Sequence, residues 1–247
     1  MVSAAAAADG IARARRLPTL RVGLHLVLVD GRPALPPENL PDLVDTSGCL
    51  RKDLAALGLE ICARPTVRAQ LRAEIEAQFR AYLKTGLDLD HVNAHKHFHL
   101  HPAVANDVIA IGRRYGMQGL RVPREPAAVL AKIESQTVRA PTLIAPWTKL
   151  LSRRARRAGL LSPDWVFGLA WSGAMSTRRL DGLLRHLPIG STEIYLHPAI
   201  RDDFVGSAPG YRYADELTAL IDPNIAALVR RPDVALGGYS DFWSTSR

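Results

Sequence analysis

Apolar residues recur at every fourth position from Val67 through Leu71, Ile75 and Phe79 to Leu83, which predicts an amphipathic helix over residues 66–85, stopped by Gly86. Residues 20–29 form a continuous apolar run of strand length, closed by a turn that begins Asp30-Gly31. In that run His25 is the only polar side chain after Arg21. The stretch 91–101 has a period of two: His91, Asn93, His95, His97 and His99 share one side, while Val92, Ala94, Phe98 and Leu100 share the other. This pattern predicts a strand with one chemically loaded face.

The remaining pattern alternates strands and helices. Helices are predicted over 2–16, 103–115, 126–134, 143–158, 176–187 and 212–231, the last kinked at Pro223. Strands are predicted over 118–123, 164–171, 192–198 and 233–239. Residues 30–65, rich in Pro, Gly and Asp, read as one long irregular segment of the kind that forms lids or substrate loops. Such alternation, with strands that are nearly continuously apolar, predicts an α/β fold with a parallel sheet, open or closed into a barrel. Ligands in these folds bind at the carboxyl ends of strands. His25, the 91–101 cluster, Arg121 and His197 all lie in or just after predicted strands.

At 247 residues without a low-complexity linker, the chain is expected to form a single domain, 1–247. With 47% hydrophobic and 23% charged residues it can bury a substantial core, which excludes disorder. The net charge of +8 includes arginine runs at 13–16, 153–157 and 230–231. These suit peripheral contact with an anionic membrane, or solubility alone. No nucleic-acid-binding signature accompanies them, so no nucleic-acid partner is expected. Cys49 and Cys62 lack metal-type spacing, and no apolar run reaches the length of a membrane span. Together these features predict a cytoplasmic protein able to touch the inner membrane.

Five of the eight histidines fall between His91 and His101. Neutral imidazole is the commonest protein ligand for borderline metals, so a metal role is expected within the cluster. A helical zinc-protease motif would also align His91, His95 and His99, but Lys96 stands where that motif needs glutamate and Pro102 closes the run. Taken alone, His25 reads as a buried core histidine.

The segments Val22-Gly23-Leu24-His25-Leu26, His91-Val92-Asn93-Ala94-His95-Lys96-His97-Phe98-His99, Tyr195-Leu196-His197-Pro198-Ala199 and Gly238-Tyr239-Ser240-Asp241 resemble, in order and separation, the YdjC-like carbohydrate deacetylases. The wording around His95 most resembles the hopanoid-biosynthesis-associated branch (HpnK). The chitooligosaccharide branch usually has Asp-Ser-His where this chain has Asn93-Ala94-His95.

The resemblance implies an irregular parallel (β/α) barrel, a divalent metal ion, and hydrolysis of an N-acetyl group on an amino sugar. Magnesium is the family's usual ion; ligand softness also suits zinc. By resemblance His25 and His95 are the metal ligands. The family's third metal residue lies in an Asp-Asp-Phe-Gly motif that the chain lacks, so its first βα unit, roughly 35 residues, is expected to be missing. Asp202-Asp203-Phe204 is followed by Val205 rather than glycine and comes after the His197 strand, and it is read as coincidence.

His197 is the candidate catalytic acid, and His97, His99, Arg121 and Tyr239 are candidate substrate contacts. The expected substrate is an N-acetylated amino-sugar glycolipid of the hopanoid type, or an oligosaccharide. Other readings are an inactive remnant, in which exposed sheet edges favour a homodimer, and a metal-dependent phosphohydrolase.

Overall fold

The structure is a computed structural model that describes residues 1–135 and 145–243. The chain gathers into two compact units. The first comprises Met1–Arg121, Arg153–Ser162 and Gly237–Arg247; the second comprises Val122–Ser152 and Pro163–Leu236.

In the first unit, α1 (Ala7–Ala14) precedes β1 (Leu24–Leu26), α2 (Leu54–Ala63), α3 (Pro65–Leu83) and β2 (His91–Ala94). A 3-10 turn, His95–Leu100, leads into α4 (Pro102–Arg114) and β3 (Gly119–Leu120). The three strands form a parallel sheet in the order β1-β2-β3. His25 pairs with Asn93 and Leu26 with Ala94; His91 pairs with Gly119.

The predicted 66–85 helix is α3, with Val67, Leu71, Ile75 and Phe79 fully buried. Leu83 is instead 51% exposed, and Tyr82 takes the inward position. A strict step of four drifts about 40° per step against 3.6 residues per turn, so the stripe rotates out of the core. The drift also turns Glu74 and Gln78 inward. Gln78 accepts from the Val27 amide (2.9 Å) and donates to the Val27 carbonyl (2.6 Å), while Glu74 accepts from the amides of Ala34 (2.7 Å) and Leu35 (3.0 Å). These side chains replace the ladder bonds missing beyond Leu26. Burial pushes the Glu74 carboxyl above its usual range, against the pull of its amide donors.

Helix α2 lies inside the segment 30–65 that the sequence marks as irregular. Its burial of Leu57 and Ile61 explains why it forms there.

In the second unit, α5 (Ala127–Ile133) is followed by β4 (Trp165–Phe167), α7 (Thr177–Arg185) and β5 (Thr192–Ile194). Helix α6 (Ala145–Arg157) contributes residues to both units. The start of the helix predicted at 143 lies outside the described residues. Strands β4 and β5 pair in parallel, Trp165 opposite Thr192. A core of Val129, Phe167, Trp171, Met175, Leu183 and Ile225 packs beside them.

The kinked helix predicted at 212–231 is two helices, α8 (Tyr213–Ile221) and α9 (Pro223–Leu228). Pro223 excludes the helical region for Asp222, whose ψ of 128° breaks the run. The freed Asp222 carboxylate caps α9 through the Asn224 amide (2.8 Å).

Parallel strands interleaved with helices make this an α/β fold, as the alternation predicts. Two predicted strands need correction. The histidine stretch is extended only to Ala94, because β1 ends opposite it at Leu26. The strand predicted at 233–239 is not formed: Leu236 is 77% exposed, and Tyr239 opens α10 (Tyr239–Trp243).

Candidate active site

The loaded positions of the first unit cluster where β1 and β2 end. His25 is the middle residue of β1, and its ladder partner is Asn93. Its Nδ1 lies 2.5 Å from Asn93 Oδ1. His95 is the first residue past β2, and its ring sits edge-on to His25 with centroids 5.9 Å apart. Burial lowers the His25 pKa to about 3, opposed by the bond to Asn93 and aided by the positive amino terminus and, less, by His95 and Arg121. His25 is therefore a neutral imidazole at neutral pH. His25 is part-buried, short of the core position its sequence setting alone predicts, and its ring lies beside that of His95.

Beyond His95 the backbone is strained. Lys96 (φ 51°) and His97 (φ 53°) are both left-handed, a conformation that non-glycine residues adopt at a cost. Lys96 Nζ donates to Asp30 Oδ2 at 2.6 Å, and Asp30 is itself left-handed (φ 48°). This hydrogen bond also lowers the Asp30 pKa, so the carboxylate is charged and pins the turn to the loop after β1.

His99 is fully buried. Its Nε2 donates to the Arg121 carbonyl at 2.7 Å, and burial holds its pKa at about 3. It thus anchors the chain leaving β3, while His97 lies 6.2 Å from it, ring to ring.

At the other end of β2, His91 Nδ1 donates to Asp90 Oδ2 at 2.8 Å. Tyr239 stacks on His91 with centroids 4.6 Å apart and planes 18° from parallel. Both rings need glycine beneath them: a Cβ on Gly23 would lie 2.5 Å from His91 Nε2, and one on Gly119 would lie 2.1 Å from Tyr239 Cδ1. Tyr239, a candidate substrate contact, is only 7% exposed and packs as part of this stack.

His197 belongs to the second unit, just past β5. Its backbone amide donates to Glu216 Oε2, and Glu216 Oε1 accepts from the Met175 amide at 2.9 Å. The rings of Tyr195 and Tyr211 flank it edge-on at 5.8 and 5.2 Å. Nearby in sequence to β4, Glu125 gathers the amides of Gly168, Leu169 and Ala170 at 2.7 to 2.9 Å.

Of the sequence candidates, His25, His95, His97, His99 and Arg121 are thus gathered in the first unit, and His197 has its own setting in the second. Asn93 was visible only as one member of the histidine face. Asp30, Asp90, Glu125 and Glu216 gave no signal, since a carboxylate held by hydrogen bonds and a solvated one look alike in sequence.

Two imidazoles suit a borderline divalent ion in donor type. Among the described residues no group of three or more His, Cys, Asp or Glu could hold a metal ion. The pair therefore offers two of the three protein ligands usual in catalytic zinc sites.

The family model of YdjC-like proteins matches residues 1–231, through both units. The chain belongs to the YdjC-like family. Relatives named carbohydrate deacetylase include one from Vibrio vulnificus strain CMCP6, 34% identical over 98% of this chain and 82% of its own length. Another, from Geobacillus stearothermophilus, is 29% identical over 96% of this chain and 82% of its own. The fold is similar to that of a crystal structure from Enterococcus faecalis described as a putative cellobiose-phosphate cleavage protein. That likeness has a TM-score of 0.70 at 23% identity, covering 95% of this chain and 82% of the other. Among the described residues, no helix is long and apolar enough to cross a membrane.

Proposed function

We propose that this YdjC-like protein is a carbohydrate N-deacetylase, an amide hydrolase that releases acetate from an N-acetylated amino sugar. Relatives named carbohydrate deacetylase support the reaction class. The observation that carries the reading to particular residues is the meeting of His25, on β1, and His95, just past β2, ring to ring at 5.9 Å.

Amide hydrolysis at neutral pH requires an activated water, stabilisation of the oxyanion and a proton for the leaving amine. A divalent cation held by His25 and His95 would supply Lewis acidity toward the acetyl carbonyl. Magnesium follows the family and zinc the ligand softness. His197 is the proposed proton donor to the amine, its backbone held by Glu216. His97, His99, Arg121 and Tyr239 are the proposed sugar contacts, of which His99 and Tyr239 are buried. The reading carries with it the (β/α) barrel that the resemblance implies.

The proposed substrate is an N-acetylglucosaminyl lipid of the hopanoid type. Arg153, Arg154 and Arg157 are exposed on α6 and suit anionic headgroups, each contact worth at most about 1 kcal/mol. Sedimentation with liposomes of increasing anionic content tests this contact; equal binding at every content would remove it.

Replacing His25 and His95 by alanine, singly and together, tests the site. The two residues acting as a unit predicts that the double variant loses no more acetate-releasing activity than either single one. Independent, additive losses would contradict it.

A further inference from the structure

We infer that Asn93 is a positioning residue that fixes His25 as the Nδ1–H tautomer, leaving Nε2 as the one ring nitrogen available to a ligand. This rests on the reading of His25 as a ligand, but the tautomer itself is decided by the geometry of the β1–β2 ladder.

His25 and Asn93 are cross-strand partners in register, so their side chains rise from the sheet side by side. The contact runs from His25 Nδ1 to the amide oxygen of Asn93 at 2.5 Å. An amide oxygen only accepts, so the proton must sit on Nδ1. Asn93 is 7% exposed and sits on the central strand of the β1-β2-β3 sheet.

A neutral imidazole with one nitrogen occupied as a donor has a lone pair only on the other. The preceding and following positions of β2, Val92 and Ala94, are buried on the opposite side of the strand and add no competing acceptor. His95 follows the last ladder pair, Leu26 with Ala94. The two imidazoles are thus unequal, one fixed by the sheet and one carried by a strained turn.

An outer hydrogen-bonding partner of a ligating histidine commonly governs metal affinity by 10- to 100-fold, on the order reported for such partners generally. Asn93→Leu keeps the volume and removes the acceptor. Asn93→Asp keeps an acceptor at the same place.

The test uses the full chain, labelled with 15N at histidine and kept free of metal. Long-range proton–nitrogen correlation distinguishes protonated from unprotonated ring nitrogens. The expected result is a protonated Nδ1 and an unprotonated Nε2 on His25 in the wild type and in Asn93→Asp, with mixed tautomers in Asn93→Leu. Zn2+ titration by calorimetry should then show a 10- to 100-fold weaker affinity for Asn93→Leu alone. A wild-type His25 protonated on Nε2, or a tautomer unchanged in Asn93→Leu, would overturn the inference. A fixed Nδ1–H tautomer in a wild-type protein that binds no Zn2+ would uphold the positioning role and count against the metal reading instead.

Discussion

Asp90 accepts the backbone amide of Tyr239 at 3.1 Å, joining the start of β2 to a residue almost at the far end of the chain. The same carboxylate takes the Ser240 amide at 2.7 Å and the His91 imidazole at 2.8 Å. Arg21 adds a second tie to the same segment through Asp241, at 3.0 Å. The start of α10 is thereby held on the sheet by the buried charge of Asp90, with Arg21 as a second, exposed tie.

That charge makes the tie sensitive to acid. Burial alone would raise the Asp90 pKa, but the bonds from His91, Ser240 and Tyr239 outweigh it and hold the group at about 2. A carboxyl depressed in the folded state stabilises fully above its unfolded value of about 3.9, and the contribution fades as pH falls toward the folded value. Wild type should exceed Asp90→Asn by about 2 kcal/mol in urea denaturation at pH 7. The difference should shrink between pH 4 and pH 2 on the same scale, as an order-of-magnitude window. A gap independent of pH would show that shape and not charge is responsible.

Gly119→Ala tests the same stack by steric means. The added Cβ would fall 2.1 Å from the Tyr239 ring, so α10 must move. Limited proteolysis should cut the variant within residues 233–243 under conditions that leave wild type whole. Equal resistance would contradict the packing.

The left-handed turn after His95 stores strain that glycine would release. His97→Gly should raise stability by about 1 kcal/mol, read as a higher Tm, while lowering kcat/KM for deacetylation through loss of the imidazole. A fall in Tm would mean that the side chain contributes more to folding than its backbone costs.

Glu125 draws three consecutive amides onto one half-buried carboxylate, whose pKa desolvation raises against those donors. Glutamine keeps the shape but turns one acceptor into a donor. Glu125→Gln should cost about 1–3 kcal/mol and speed hydrogen exchange at Gly168, Leu169 and Ala170. Unchanged exchange there would deny the carboxylate its role.

Long periodic elements were legible in the sequence for a physical reason: α3 and α4 each bury one face, and burial imposes the period. The segment 91–101 misled because two left-handed residues interrupt it, and a period of two cannot register backbone handedness. The stretch 233–239 forms no strand: Leu236 is 77% exposed, and Tyr239 is buried as the first residue of α10 instead. Helix α2 was hidden by surrounding prolines. For the site, histidine type and clustering pointed to His95, whereas His25 looked like core until its family resemblance was considered. What spacing could not give was the cross-strand pairing of His25 with Asn93, which depends on register between distant strands.

The most direct measurement is of products. The purified chain, supplied with Zn2+ or Mg2+, would be incubated with an N-acetylglucosaminyl lipid, with an N-acetylglucosamine oligosaccharide, and with a phosphoester control. The deacetylase reading predicts acetate and free amine in equal amounts from at least one N-acetyl sugar, lost in His95→Ala and in His197→Ala. Phosphate release from the control with no acetate from either sugar would contradict it.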